Sequence, residues 1–111
     1  MKKSITELKA LIEQGKFPTK FRHFGGANLI ITDDPNRNFH DGDVVVYSLH
    51  AGPLSWLVEQ LKEIYWDKVD YMNKYEFYPS IGKMINNRLK DDGLLFDVML
   101  SIVDDVEEKW G

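Results

Sequence analysis

Cysteine is absent from all 111 residues, so the chain can form no disulfide, no thiolate zinc site and no cysteine nucleophile. Proline is sparse, with four residues, and no apolar run approaches the roughly 20 residues that a membrane-spanning helix needs. The basic start, Met1-Lys2-Lys3-Ser4, leads into an amphipathic pattern, so we expect no signal peptide and no membrane partner. Length and composition favour a single domain, residues 1–111, in a reducing cytoplasm.

Positive charge is the scarcer sign. The chain has 18 acidic and 14 basic residues and a net charge of −4. An acidic chain repels a phosphate backbone, which disfavours direct nucleic-acid binding. Bases outnumber acids only in residues 1–24, where Lys16, Lys20 and Arg22 lie among phenylalanines. A small nucleic-acid-binding protein using this basic segment therefore stays an alternative.

The chain is organised around a predicted strand and helix between Asp43 and Met72. Val44-Val45-Val46-Tyr47 is typical of a strand, and Pro53 fits the first turn of a helix that we expect to reach about Asn73. Apolar residues three and four apart define the buried face of this helix: Leu54, Leu57, Val58, Leu61, Ile64, Tyr65, Val69 and Met72.

The other elements follow from caps, turns and periodicity. Ser4 and Glu7 fit a capping box at the start of a helix over residues 4–15, which Gly15 ends. Gly25-Gly26 indicates a turn. The pattern predicts strands at 17–24, 28–32 and 43–49 and further helices at 81–90 and 94–109. Short connections favour an antiparallel meander, so the predicted fold is α+β: an N-terminal helix, a three-stranded antiparallel sheet, then three helices.

Three histidines lie within residues 23–50 and indicate a candidate zinc site. In a meander, His23 and His50 would share one edge of the sheet, and His40 and Asp41 would lie at the other with Asp33, Asp34 and Asp43. Imidazole and carboxylate ligands suit zinc. The candidate metal ligands are therefore His23, His40, Asp41 and His50, and a zinc-stabilised interaction module is a second hypothesis.

Two other chemical interpretations fail on the sequence. Asp34-Pro35-Asn36-Arg37-Asn38 copies the opening of a calcium-binding EF-hand loop, but Phe39 and Val45 stand where that motif needs Gly and Glu. Turn formation by Asp, Asn and Pro explains this loop better. Ser48 and His50 lack an orienting acid and an oxyanion hole, so we expect no enzyme activity.

An acidic stripe accompanied by aromatic residues is the strongest functional signal. Glu59, Glu63, Asp67 and Asp70 recur at helical spacing, Trp56 and Trp66 lie off the apolar stripe, and Tyr71, Tyr75, Phe77 and Tyr78 follow. Aromatic side chains supply interface energy, and acids steer towards a basic partner. The predicted partner-binding residues are Glu59, Glu63, Trp66, Asp67 and Asp70. Alternatively, the indoles cover a second layer of core beneath the last helix.

This layout resembles small acidic anti-CRISPR proteins encoded by phages, specifically inhibitors of Cas9. The resembling parts span residues 4–78: the opening helix Ile5–Glu13, the strands around Leu29–Thr32 and Val44–Leu49, the helix from Pro53, and the acid–aromatic segment Glu59–Tyr78. The resemblance implies a non-enzymatic inhibitor that acts in the cytoplasm of a bacterial host. It also implies that the acidic side chains occupy basic surfaces on which Cas9 loads nucleic acid.

Overall fold

The fold contains four α-helices and a three-stranded sheet in the residues that the computed structural model describes: 4–20, 23–69, 74–91 and 93–111. The elements in chain order are α1 (Ile5–Glu13), β1 (His23–Gly26), β2 (Leu29–Thr32), β3 (Val44–Tyr47), α2 (Ala51–Tyr65), a 3₁₀ turn (Trp66–Lys68), α3 (Lys74–Leu89) and α4 (Leu95–Trp110). The predicted α+β class is confirmed. No helix within these ranges is long and apolar enough to cross a membrane.

Helix α1 begins and ends at the residues that its sequence specifies. The Ser4 hydroxyl accepts a hydrogen bond from the Glu7 amide at 3.2 Å, which satisfies one of the free donors at the helix start. Gly15 has a φ of +69°, and the amides of Gly15 and Lys16 donate to the carbonyls of Ile12 and Leu11. These two bonds form a Schellman motif, which requires the left-handed backbone that glycine adopts readily.

The predicted antiparallel meander is wrong for one of its two strand pairs. β1 and β2 are antiparallel, but β2 and β3 are parallel, so the sheet is mixed in the order β1-β2-β3. Residues 33–43 make this possible, because the connection approaches the dozen residues that a crossover between parallel strands needs. The Asn36 amide donates to the Asp34 carboxylate at 2.9 Å, and this turn reverses the chain directly after β2.

The turn of the first hairpin lies two residues later than predicted. Gly25 and Gly26 belong to β1 and pair with Ile30 and Leu29. The turn is formed by Ala27 and Asn28, and Asn28 supplies the positive φ of 63°. Asparagine tolerates this region better than most residues, so the hairpin needs no glycine at the turn itself.

The helices cover one face of the sheet. Phe24, Leu29, Ile31 and Val46 are buried on this face, and the buried cluster continues through residues of every helix. The buried side chains of α4 are those predicted, with Leu95 half-buried: Val98, Met99, Ile102, Val103 and Val106. The opposite face carries Ile30, Val45 and Tyr47, and Tyr47 is half exposed.

Two helix boundaries differ from the predictions. The helix predicted from Pro53 to about Asn73 begins at Ala51 and ends at Tyr65, where the 3₁₀ turn follows. Helix α3 begins at Lys74 rather than at Ile81 and contains Pro79. Phe77, Ile81 and Ile85 lie four residues apart and are fully buried, so burial of Phe77 favours a helix that extends before the proline.

Candidate functional site: an acid–aromatic groove

An open groove of about 460 Å³ lies between α2 and β1. We call it the acid–aromatic groove. It brings together four of the five predicted partner-binding residues, Glu59, Glu63, Trp66 and Asp67, whereas Asp70 lies outside the described residues. The lining residues are Phe24, Gly25, Gly26, Glu59, Lys62, Glu63, Trp66, Asp67 and Tyr78.

The helical period of α2 gives the groove its charged wall. Glu59, Lys62 and Glu63 are three and four residues apart, so they share one face of the helix. Leu57 and Leu61 lie on the buried side and anchor this face in place. The 3₁₀ turn then carries Trp66 and Asp67 to the end of the groove, so the acidic stripe continues beyond the helix.

Aromatic rings from three elements form the apolar part of the groove. The Trp66 ring meets the buried Phe77 ring edge-on at 5.5 Å and lies 6.4 Å from the Tyr78 ring. Tyr78 in turn lies 5.6 Å from Phe24 of β1. Trp66 is half-buried, so its ring supports the core on one side and remains accessible from the groove on the other.

The described lining of the groove is negative but includes a cation. Glu59, Glu63 and Asp67 are exposed, and among the described lining residues Lys62 is the single basic one. The Lys62 Nζ lies 5.5 Å from the centroid of the Trp66 ring, which is within the range of a cation–π contact. The Trp66 face therefore already holds a positive charge, and the surrounding carboxylates leave the lining with an excess of negative charge.

The remaining aromatic residues of the predicted stripe have other roles. Trp56 stacks against Phe17 at 5.8 Å and is half-buried, and it does not line the groove. Tyr75 is 71% exposed on α3, whereas Phe77 is fully buried. Tyr71 lies outside the described residues. Trp56 thus packs on the core, whereas Trp66 packs on the core and also lines the groove. Both indoles are half-buried, so neither is fully covered by α4.

The candidate zinc ligands occupy two different ends of the sheet. His23 pairs with Thr32, and Thr32 with Tyr47, so His23 and His50 lie towards the end where β2 and β3 finish. His40 and Asp41 precede β3 at the opposite end. In the part of the chain that the structure describes, no three His, Asp or Glu side chains gather where they could hold a metal ion. The geometry therefore does not support the zinc hypothesis.

His23 is engaged by a cation rather than by a carboxylate. The Arg37 Nη2 donates to the His23 Nε2 at 2.7 Å. Burial of the imidazole, together with repulsion from the Arg37 charge, lowers the pKa of His23 below its ordinary value. The His23 Nδ1 is buried, and none of the described residues forms a hydrogen bond with it. This pairing favours a neutral ring.

The structure also describes residues named in two further sequence hypotheses. The Ser48 hydroxyl accepts a hydrogen bond from the backbone amide of His50 at 3.0 Å, which is a turn contact rather than a nucleophile–base pair. In the basic segment, Lys16 and Lys20 are exposed, but Phe17 packs on Trp56 and Phe24 is buried. Neither ring forms an open platform for stacking bases, and Arg22 lies outside the described residues.

Sequence reasoning missed the half of the groove that the sheet supplies. Gly25 and Gly26 indicated a turn in the sequence, yet they form strand backbone beside α2. Glycine within a strand marks a close approach of another group, and this signal could have placed them in the wall. At Gly26 a Cβ would lie 2.8 Å from the Phe24 ring, so a larger residue would displace the aromatic floor.

Comparison with known proteins gives no match: no family model, no curated protein and no solved structure matches this chain. The acid–aromatic groove is therefore the feature from which a function can be inferred.

Proposed function

We propose that this chain is a non-enzymatic binding protein that receives a basic surface of a partner protein in the acid–aromatic groove. The observation that supports this proposal is that Glu59, Glu63 and Asp67 line one groove together with Trp66. The groove volume of about 460 Å³ suits a single long side chain together with its backbone. A guanidinium or ammonium group entering there meets both carboxylates and aromatic faces.

The two kinds of group contribute differently to binding. The carboxylates are exposed, so each ion pair with a partner adds little affinity but accelerates association at low salt. Aromatic side chains such as those of Trp66 and Tyr78 supply contact area and cation–π attraction, about 0.5–2 kcal/mol for one cation. The association rate should therefore depend on salt, whereas the dissociation rate should depend on the rings.

Cas9 is the first partner to test. The resemblance to phage anti-CRISPR proteins implies it, and the positively charged channel of Cas9 offers the basic surface that the groove complements. In this proposal the acidic protein occupies sites meant for the guide or target nucleic acid and acts in the bacterial cytoplasm.

Binding to Cas9 and inhibition of its DNA cleavage should both require the groove carboxylates. The test variant combines Glu59→Gln, Glu63→Gln and Asp67→Asn. A matched control combines Glu13→Gln, Asp97→Asn and Glu108→Gln, which removes the same charge from exposed positions outside the groove. We expect the groove variant to bind at least about tenfold more weakly and the control to bind like the wild type.

Equal weakening in both variants would show that only net charge matters and would contradict a groove-based site. No binding of wild-type protein to Cas9 at micromolar concentration would remove Cas9 as the partner. Histone H1, a basic protein unrelated to Cas9, then tests the general proposal with the same three proteins. Wild-type binding that only the groove variant loses would support it, and no difference between groove variant and control would overturn it.

A further inference from the structure

Strand β1 is an edge strand, and its outer edge borders the acid–aromatic groove. The sheet order is β1-β2-β3, and Gly25 lines the groove beside α2. The other edge, on β3, is in contact with α3, where the Asn86 Nδ2 donates a hydrogen bond to the Val45 carbonyl at 3.0 Å. Helix α2 lies close to β1 as well, but no described backbone group bonds to the outer edge of β1, so this is the edge that a further strand can join.

The pairing pattern identifies the backbone groups of β1 that point outward. The Val44 amide donates to the Asn28 carbonyl, and the Ser48 amide donates to the Thr32 carbonyl. Along β2, the backbone N–H and C=O groups of the even-numbered residues therefore point towards β3. Leu29 and Ile31 accordingly face β1, where their partners are Gly26 and Phe24. The N–H and C=O groups of His23 and Gly25 thus point away from the sheet.

No described residue supplies a backbone partner for these outward groups of His23 and Gly25. Gly25 is exposed, so a second chain can approach its backbone without displacing a side chain. Gly25 and the carboxylates of Glu59 and Glu63 line the same groove. An extended chain lying there would satisfy the strand edge and reach the acidic wall at once.

We propose that the groove binds an extended, arginine-bearing segment of the partner, which pairs with β1 as a fourth strand. This inference rests on the proposed function and specifies its ligand. Strand addition uses the backbone for affinity and alternate side chains for specificity. Because side chains two residues apart share a face of a strand, arginines at every second position would all lie on one face, from which one of them can enter the groove.

Arginine fits the groove better than lysine does. A guanidinium is planar, stacks on aromatic rings and binds a carboxylate with two parallel hydrogen bonds. The Trp66 and Tyr78 rings lie 6.4 Å apart at an interplanar angle of 37°, and Glu59 and Glu63 line the wall beside them. A lysine would offer only a point charge to the same groups.

The first test replaces Gly25 and leaves the charges of the groove unchanged. Gly25→Pro removes the outward N–H, and proline is tolerated on an edge strand where that N–H faces solvent. Gly25→Ala is the control, because it keeps the N–H and its Cβ comes no closer than 3.4 Å to the His23 ring. Circular dichroism and thermal unfolding verify that both variants fold.

The probe is a capped peptide of alternating threonine and arginine, about ten residues long, titrated at low salt into wild-type protein and variants. A second peptide has the same sequence but carries N-methyl groups on the residues that would donate to β1. We expect the first peptide to bind wild type and Gly25→Ala at least about tenfold more tightly than Gly25→Pro. We expect the N-methylated peptide to lose affinity to a similar extent.

Hydrogen exchange gives a direct readout of strand pairing. On binding of the unmodified peptide, the amide of Gly25 should exchange more slowly, because it gains a hydrogen-bond acceptor. Equal affinity of both peptides, with no protection at Gly25, would overturn strand addition. If those peptides still lose binding to the groove variant lacking three carboxylates, the proposed function stands.

The remaining outcomes also separate the two proposals. If neither peptide binds but a basic protein still requires the groove carboxylates, the groove receives a folded basic surface and the extended-segment inference is wrong. If neither peptide nor protein depends on the groove, both proposals fail.

Discussion

The imidazole of His23 accepts a hydrogen bond from the Arg37 guanidinium, and this contact favours the neutral form of the ring in the folded protein. Arg37 donates to the Nε2 at 2.7 Å, and burial together with the Arg37 charge lowers the pKa of His23. As the pH falls, His23 of the unfolded chain binds a proton near the ordinary pKa of 6.5, whereas His23 of the folded chain binds it only at lower pH. The contribution of His23 to the unfolding free energy is therefore fully present above pH 6.5 and is lost as the pH falls through the folded pKa.

We expect His23→Gln to flatten the decline in unfolding free energy between about pH 7 and pH 5, as measured by urea denaturation. His40→Gln changes an exposed ring and should keep the wild-type slope. An unchanged slope in His23→Gln would show that other groups cause the acid sensitivity.

Lys62 competes for the ring that a basic partner would use. Its Nζ lies 5.5 Å from the Trp66 centroid, and its charge repels an incoming cation. We expect Lys62→Met to raise the affinity for the arginine peptide by about two- to tenfold, in line with an exposed cation–π contact and one lost repulsion. Lys83→Met removes an exposed lysine outside the groove and should have a smaller effect. Weaker binding by Lys62→Met would instead indicate that Lys62 organises the groove.

At the scale of elements, α3 packs closely against the sheet at Gly82. A Cβ at this position would lie 2.6 Å from the Leu29 Cδ1 and 2.9 Å from the Val44 Cγ1, and Leu29 is fully buried. We expect Gly82→Ala to lower the unfolding free energy by about 1–3 kcal/mol, despite the higher helix propensity of alanine. Chemical denaturation measures the change.

Gly93→Ala is the matched control for Gly82→Ala. No described atom lies within 4 Å of a Cβ at Gly93, so we expect a change within about 0.5 kcal/mol. Equal effects at both positions would show that backbone freedom, rather than contact with the sheet, determines the cost.

The elements also show which predictions local sequence supports. The caps of α1 and the buried face of α4 were predicted because each depends on residues within a few turns of one helix. The start of α3 was missed because Pro79 and its aromatic neighbours indicate an extended connection, whereas the buried Phe77 continues the helical stripe of Ile81. At this position, the burial of Phe77 in the core outweighs the tendency of Pro79 to interrupt a helix.

For the whole molecule, one buried cluster connects the sheet with all four helices. Phe77 is central to it, because its ring is fully buried and lies 5.5 Å from Trp66 and 5.0 Å from Trp110. We expect Phe77→Ala to lower the unfolding free energy by about 3–5 kcal/mol, which is a large part of the stability of a typical domain. Circular dichroism and tryptophan fluorescence should report one coincident unfolding transition.

Tyr75→Ala removes an exposed aromatic from the same helix and should change stability by less than about 0.5 kcal/mol. Two separate transitions in the wild type would contradict a single cooperative core.

The fold class was predictable from the sequence, but the sheet topology was not. The alternation that buries Ile31 and Val46 is the same whether β3 runs parallel or antiparallel to β2, so hydrophobic pattern alone does not choose between them. The same limit applies to the groove. Its helical wall follows from spacing along α2, whereas the contribution of Gly25 and Gly26 depends on strand register.

The acidic wall beside β1 also bears on self-association. Two copies joining through this short edge would bring Glu59, Glu63 and Asp67 of one molecule towards those of the other. Like charges at such a junction oppose the continuous sheets through which exposed strand edges aggregate. The carboxylates that we propose to bind a cationic partner should therefore also oppose self-association, and this effect should weaken in concentrated salt.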